Sequence, residues 1–184
     1  DTQIFIGERE FLRHDYSKTL NSALPGLARC RAGALHTPAA PYLRSIWLGS
    51  ADGVNWAGSV ADLIALADTP GAPDRELLRV IEQQVSPTDD AVIVYTSGST
   101  SQPKAVVHTQ RTLARHPPEL AKLFLLQPGD RMMPLLPAFW LGGMAMALEV
   151  LSVGATLVYP DSPDIDVVLD SIETLAVNRV NSWG

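Results

Sequence analysis

The stretch that most constrains this chain is residues 95–104, YTSGSTSQPK, in which six of ten residues are Thr, Ser or Gly. Before it, Ala91, Val92, Ile93, Val94 and Tyr95 are apolar and mostly β-branched, which predicts a buried strand. After it, Ala105, Val106, Val107 and His108 predict a second short strand. A loop of small residues slung between two strands offers backbone N–H groups and hydroxyls to an anion, a phosphate chain above all. Lys104 adds a full positive charge at its rim. The chain as a whole carries a net charge of −6, yet residues 91–118 contain no Asp or Glu. The same window holds Lys104, Arg111 and Arg115, with His108 and His116 beside them, and such a cationic island suits an anionic ligand. A flexible Ser/Gly linker is the plainer alternative, although a linker has no need of a terminal Pro-Lys pair.

The Walker A pattern, GxxxxGK[ST], fits only in part. The spacing from Gly98 to Lys104 agrees, but Pro103 stands in place of the second glycine and Ala105 in place of the magnesium-binding Ser or Thr. β-Branched Val106 and Val107 follow, where a Walker loop opens a helix. The loop is therefore a phosphate loop of another kind.

The run YTSGSTSQPKAVVHT closely resembles the signature of the adenylate-forming enzymes: acyl-CoA synthetases, luciferases and the adenylation domains of peptide synthetases. Tyr95, Thr96, Ser97, Gly98, Ser99, Thr100, Pro103, Lys104, Val106 and Thr109 match that pattern, while Ser101 and Ala105 replace glycines. Residues 136–143, LPAFWLGG, resemble the family's next motif, with Trp140 at the usual His position, near the acyl pocket. The bland reading of Phe139 and Trp140 is a pair of core aromatics. Residues 152–158 resemble the following helix-to-strand turn, and 180–184, VNSWG, the next strand of the acyl-CoA synthetases.

Taken in order, the chain predicts alternating elements. Residues 3–7 read as a strand end and 16–28 as a helix with Leu20, Leu24 and Leu27 on one side, ended or kinked by Pro25. Residues 43–48 read as a strand, 52–55 as a turn and 60–67 as a short helix; 68–74, DTPGAPD, is a flexible Pro/Gly loop. Asp74 caps a helix over 75–84. Thr109 is placed to cap a helix through Arg115, which Pro117 and Pro118 break or kink before it resumes over 119–126. Residues 131–136 predict a strand, and 142–153 a helix with Met144, Ala147, Leu148 and Leu151 as its core face, stopped by Gly154. A strand over 155–159, a helix from Asp164 or Asp166 to Ala176 and a strand from Arg179 complete the series. This alternation predicts an α/β fold, a mainly parallel sheet flanked by helices. Ligands of such sheets bind at strand carboxyl ends, where the loop after Tyr95 is expected to lie.

Other features narrow the functional class. At 184 residues the length fits one domain. Cys30 is the only cysteine, so no internal disulfide forms; a reducing, cytoplasmic setting is expected, with Cys30 as a small apolar filler. The start shows neither a basic segment nor an apolar run of the signal-peptide kind. The longest uncharged run is the 17 residues between Arg131 and Glu149, and it contains Pro134, Pro137 and the Gly142–Gly143 pair. That is short of a membrane helix. No basic tract for nucleic acid, metal-ligand cluster or internal repeat is evident.

The resemblance implies a partial N-terminal (AMP-binding, adenylation) domain of an acyl-CoA synthetase-like fold over 1–184, with the small C-terminal domain and its lysine absent. It implies a ligase that joins a carboxylic acid, a fatty or related acid, to ATP as acyl-adenylate and passes the acyl group to coenzyme A. ATP, Mg2+ and coenzyme A are the implied cofactors and a homodimer is possible. The implied nucleotide-binding residues are Thr96, Ser97, Gly98, Ser99, Thr100, Ser101 and Lys104, with Trp140 and Gly142 in the acid pocket and no residue assigned to chemistry. Three alternatives stay open: a peptide-synthetase adenylation domain, a P-loop nucleotide-binding module outside the family, and a non-catalytic binding module.

Overall fold

A computed structural model describes residues 2–11, 13–96, 103–138 and 140–182. The chain divides into two compact units, residues 1–81 and 82–184. In the first, β1 (Ile4–Gly7), β4 (Ser45–Leu48) and β5 (Gly58–Ser59) pair in parallel in the order β1-β4-β5. A small antiparallel pair, β2 (Glu10–Phe11) and β3 (His14–Asp15), leads into helix α1 (Tyr16–Ala23). The expected helix over 16–28 is thus shorter: Pro25, lacking an N–H, follows its end, and a single 3-10 turn, Leu27–Arg29, takes over. Asp15 starts α1 by accepting from the backbone N–H groups of Ser17 at 3.0 Å and Lys18 at 3.3 Å. Ser59 and Asp62 form a reciprocal capping box at the start of α2 (Val60–Ala65). Asp74 accepts from Leu77 N–H at 2.8 Å where α3 (Arg75–Glu82) begins, as the sequence predicts. Leu27, Leu35, Leu43, Ile46, Leu48, Trp56 and Ala57 form this unit's core.

The second unit is built on β8 (Arg131–Pro134), the middle strand of a parallel sheet with order β10-β8-β9; β9 is Thr156–Leu157 and β10 is Arg179–Asn181. Successive side chains of a strand point to opposite faces. Met132 therefore enters a cluster with Ala121, Leu126, Met146, Val150 and Ala155, brought by α4 (Gln110–Leu123) and α5 (Leu141–Ser152) and the turns after them. Met133 enters another, with Val158 and Val168 of α6 (Ile165–Thr174) and its surroundings. Four of the six strand pairings among the described residues are parallel, so the chain is an α/β fold with mainly parallel sheets and flanking helices.

Three sequence expectations are corrected here. Pro117 and Pro118 do not divide the helix; α4 runs through both, giving up only the two backbone bonds their missing N–H groups would make. The core face of α5 is Gly143, Met146 and Val150, together with Glu149; Leu151, assigned to the core, is 58% exposed. A helix apolar nearly all round gives periodicity no purchase, so the face could not be read. β6 (Asp90–Thr96) and β7 (Lys104–Thr109) form a separate antiparallel hairpin instead of joining the parallel sheet. β6 is only partly buried, with Ile93, Tyr95 and Thr96 exposed.

Helices α4, α5 and α6 end alike. The residue after each turn sits at positive φ: Leu125 at 54°, Gly154 at 75° and Ala176 at 48°. The next N–H reaches back across the turn in each case: Leu126 to Ala121 O, Ala155 to Val150 O, and Val177 to Ile172 O. Only the glycine among them announces itself in the sequence.

Candidate functional site

The hairpin is in register from Val92↔His108 through Ile93↔Val107, Val94↔Val106 and Tyr95↔Ala105 to Thr96↔Lys104, with an irregularity beside Asp90. β-Branched residues on both strands favour this extended pairing. Thr96 and Lys104 are therefore partners across the last rung, where Thr96 Oγ1 donates to Lys104 O at 3.4 Å. The segment the sequence singles out leaves β6 at Thr96 and returns to β7 through exposed Pro103 and Lys104. The expected ligand residues Ser97, Gly98, Ser99, Thr100 and Ser101 lie outside the described residues. Of the expected nucleotide-binding set, the structure thus places Thr96 and Lys104, side by side and exposed.

The cationic island is not one patch. β7 runs from Lys104 to Thr109, and α4 begins at once with Gln110. Arg111 therefore starts α4 at the end of the strand opposite Lys104, about 17 Å away for five residues of extended chain. That end is fixed by Gln110 N–H donating to Asp89 O and Arg111 N–H to Pro87 O, both at 2.9 Å. Thr109 occupies the cap position as expected, but its hydroxyl meets Thr112 Oγ1 at 3.3 Å instead of a backbone N–H. Of the three cations in the acid-free window, Lys104 opens β7 at its loop end, whereas Arg111 and Arg115 lie in α4.

The expected acid-side residues lie at the start of α5. Trp140 is its N-cap residue, 54% exposed, with its N–H donating to Pro137 O at 3.0 Å. Phe139 lies outside the described residues. The two neighbouring glycines differ in kind. A Cβ at Gly142 would meet only Leu136 Cδ1, at 3.8 Å, whereas one at Gly143 would overlap the Pro137 carbonyl. Gly143 is required by packing; Gly142 opens onto space. Gly142 and Trp140 are both exposed.

Glu149 escaped the sequence reading, which names His108 only as part of a strand and beside the cationic island. His108 Nε2 is buried with no hydrogen-bond partner among the described residues, and so is one carboxylate oxygen of Glu149. Burial raises the pKa of Glu149 and the His116 charge opposes that shift. The available signal was position: Glu149 is the first charge after 17 uncharged residues, three after Met146. Among the described residues there is no group of three or more His, Cys, Asp or Glu that could hold a metal ion. Nor is any helix among them long and apolar enough to cross a membrane.

Residues 34–182 match the family model described as AMP-binding enzyme, and the chain belongs to that family. It is 37% identical over 93 residues to an indoleacetate–CoA ligase of Aromatoleum aromaticum; the match covers 50% of this chain and 18% of the ligase. To a 2-succinylbenzoate–CoA ligase of Bacillus pumilus it is 30% identical over 107 residues, covering 58% of this chain and 22% of the other. Its fold is that of Mycobacterium smegmatis MbtA, with a TM-score of 0.68 at 18% identity over 97% of this chain and 28% of that one. The chain spans less than a quarter of the length of the two curated relatives it matches here.

Proposed function

We propose that this chain is the phosphate-gripping part of an acid–CoA ligase, a partial AMP-binding domain over 1–184 that works within a longer protein. The reaction proposed is ATP-dependent conversion of a carboxylic acid to its acyl-adenylate, followed by transfer to coenzyme A. The observation that carries this reading is the hairpin, which sets Thr96 and Lys104 as exposed neighbours flanking the small-residue segment. An ammonium and a hydroxyl with no carboxylate nearby in sequence fit a polyphosphate by the chemistry of the donors. Negative charge builds on the departing pyrophosphate, and fixed donors stabilise it without reorganising. Ser97, Gly98, Ser99, Thr100 and Ser101 are proposed as the remaining donors, and magnesium as arriving with ATP. Trp140 and Gly142 are proposed at the acid pocket, supported by the open space beside Gly142.

Relatives named for acids as different as indoleacetate and 2-succinylbenzoate support a carboxylic acid in general. Fatty acids are one arm of the test panel. A cytoplasmic location and a homodimer belong to the same proposal. The isolated 184-residue chain is expected to turn nothing over, because groups that must be held together for catalysis are divided.

The test is carboxylate-dependent ATP–pyrophosphate exchange by the longer protein, with fatty, aromatic and short acids. Lys104→Ala should slow exchange roughly ten- to hundredfold, the equivalent of a charge-assisted contact. Undiminished exchange in that variant would refute the assignment.

A further inference from the structure

We infer that the packing of α4 on α5 contains a pH sensor, Glu149, whose neutral carboxyl lets the helices close and whose ionisation loosens them. Glu149 is 2% exposed and lies between Met146 and Val150 on the core face of α5. Its Oε2 is buried and makes no hydrogen bond among the described residues. The neighbouring cluster is apolar: Ala121, Leu126, Met132, Met146, Val150 and Ala155. Ionisation would put charge on an oxygen that has neither water nor a hydrogen-bond partner among the described residues, so the neutral acid is the form the packing favours.

The groups that can bear on it are few. α5 carries no other titratable residue, and neither does β9. β8 brings Arg131, whose Nε donates to Leu175 O. On α4, Lys122 bridges Glu119 at 2.8 Å on the exposed surface, Arg115 acts on Glu119, and Arg111 is exposed at the helix start. His116 is the α4 group whose charge acts on Glu149, and it favours the carboxylate; burial opposes it and is the larger effect.

The raised affinity for a proton fixes the sign. Stability contributed by neutral Glu149 is complete below the unfolded value and is lost as pH rises through the folded one. Charge on His116 favours the carboxylate, so removing it moves the loosening to higher pH. Since β7 passes directly into α4 and α5 starts beside Trp140, the sensor sits in the interface joining the two candidate segments.

The test is side-chain 13C titration of the glutamates in the 184-residue chain, beside amide protection factors of α4 and α5 followed from acid to mildly alkaline pH. Glu149 should titrate above the exposed glutamates. Protection in both helices should fall with rising pH in wild type, in step with the Glu149 titration, stay level in Glu149→Gln, and fall at higher pH in His116→Gln. Glu149 titrating with the exposed glutamates would overturn the inference, as would parallel profiles for wild type and Glu149→Gln. If Glu149→Gln does not fold, the wild-type titration, assigned through the backbone, decides alone.

Discussion

Replacing Arg179 should unfasten the second unit at the place where three elements meet. Its Nε lies 2.7 Å from Asp130 Oδ2, Nη1 donates to Phe124 O at 3.2 Å and Nη2 to Leu125 O at 2.8 Å. One guanidinium thus ties β10 to the turn before β8 and to the carbonyls of Phe124 and Leu125 just after α4, where positive charge also complements the helix dipole. A hydrogen bond to a charged group contributes about 1.5–3 kcal/mol, but three such values do not add here. The Arg179 side chain is 33% exposed, and Leu125 is 71% exposed, so its carbonyl regains water when the arginine is lost. Asp130 keeps Gln127 N–H at 2.9 Å and Asn178 Nδ2 at 3.2 Å. Phe124 is likewise exposed and Asp130 retains two N–H donors, which places Arg179→Ala at roughly 1.5–2.5 kcal/mol. Arg179→Lys should recover part of this, because one ammonium cannot serve a carboxylate and two carbonyls in a fixed fork. Urea unfolding followed by circular dichroism gives the total, and native-state amide exchange in β10 and α4 localises it. In 1 M salt most of the effect should persist, because the carbonyl bonds are not ion pairs. A change under about 0.5 kcal/mol in Arg179→Ala would refute the reasoning.

Ala176→Gly should stabilise the chain by about 0.5–1 kcal/mol, since glycine enters the left-handed region without the Cβ penalty; urea unfolding measures it. Gly143→Ala should destabilise markedly, whereas Gly142→Ala should leave the melting temperature unchanged or higher. Loss of the proposed ligase activity in a stable Gly142→Ala variant would then support the proposed place of Gly142 in the acid pocket. Asp15 is held down from 3.8 to about 2, first by the Ser17 hydroxyl and then by Lys18. Its contribution to stability is present above the unfolded value and lost as pH falls through the folded one. Asp15→Asn should therefore flatten that acid limb of the stability profile, read by thermal melts between pH 5 and 2.

The elements legible in the sequence were those with local causes. Asp74 and Gly154 are local signals, and each terminates or starts a helix where expected. The hairpin strands were legible as strands because β-branched residues cluster there, but their pairing was not. Two strands joined by a loop of this length can pair with each other or be drawn into a sheet, and sequence does not rank those outcomes. The α5 core face was misread because Leu151 and Met146 are equally apolar, and only their neighbours decide which is covered. Arg179 was silent for the same reason: its partners lie 49 or more residues away in sequence. In the site, Lys104 was legible from its place after a small-residue run. The separation of Arg111 from it was not, because charge counted along a chain takes no account of a strand's length.

If the rung Thr96–Lys104 flanks a grip for polyphosphate, the phosphate chain must be felt there. The direct measurement is an NMR titration of the 15N-labelled chain with pyrophosphate, MgATP and adenosine. Saturable shifts centred on the amides of Thr96, Lys104 and Ala105 are expected with the two phosphates, none with adenosine, and at least roughly tenfold weaker binding in Lys104→Ala. Shifts centred elsewhere, or affinity indifferent to Lys104, would contradict it.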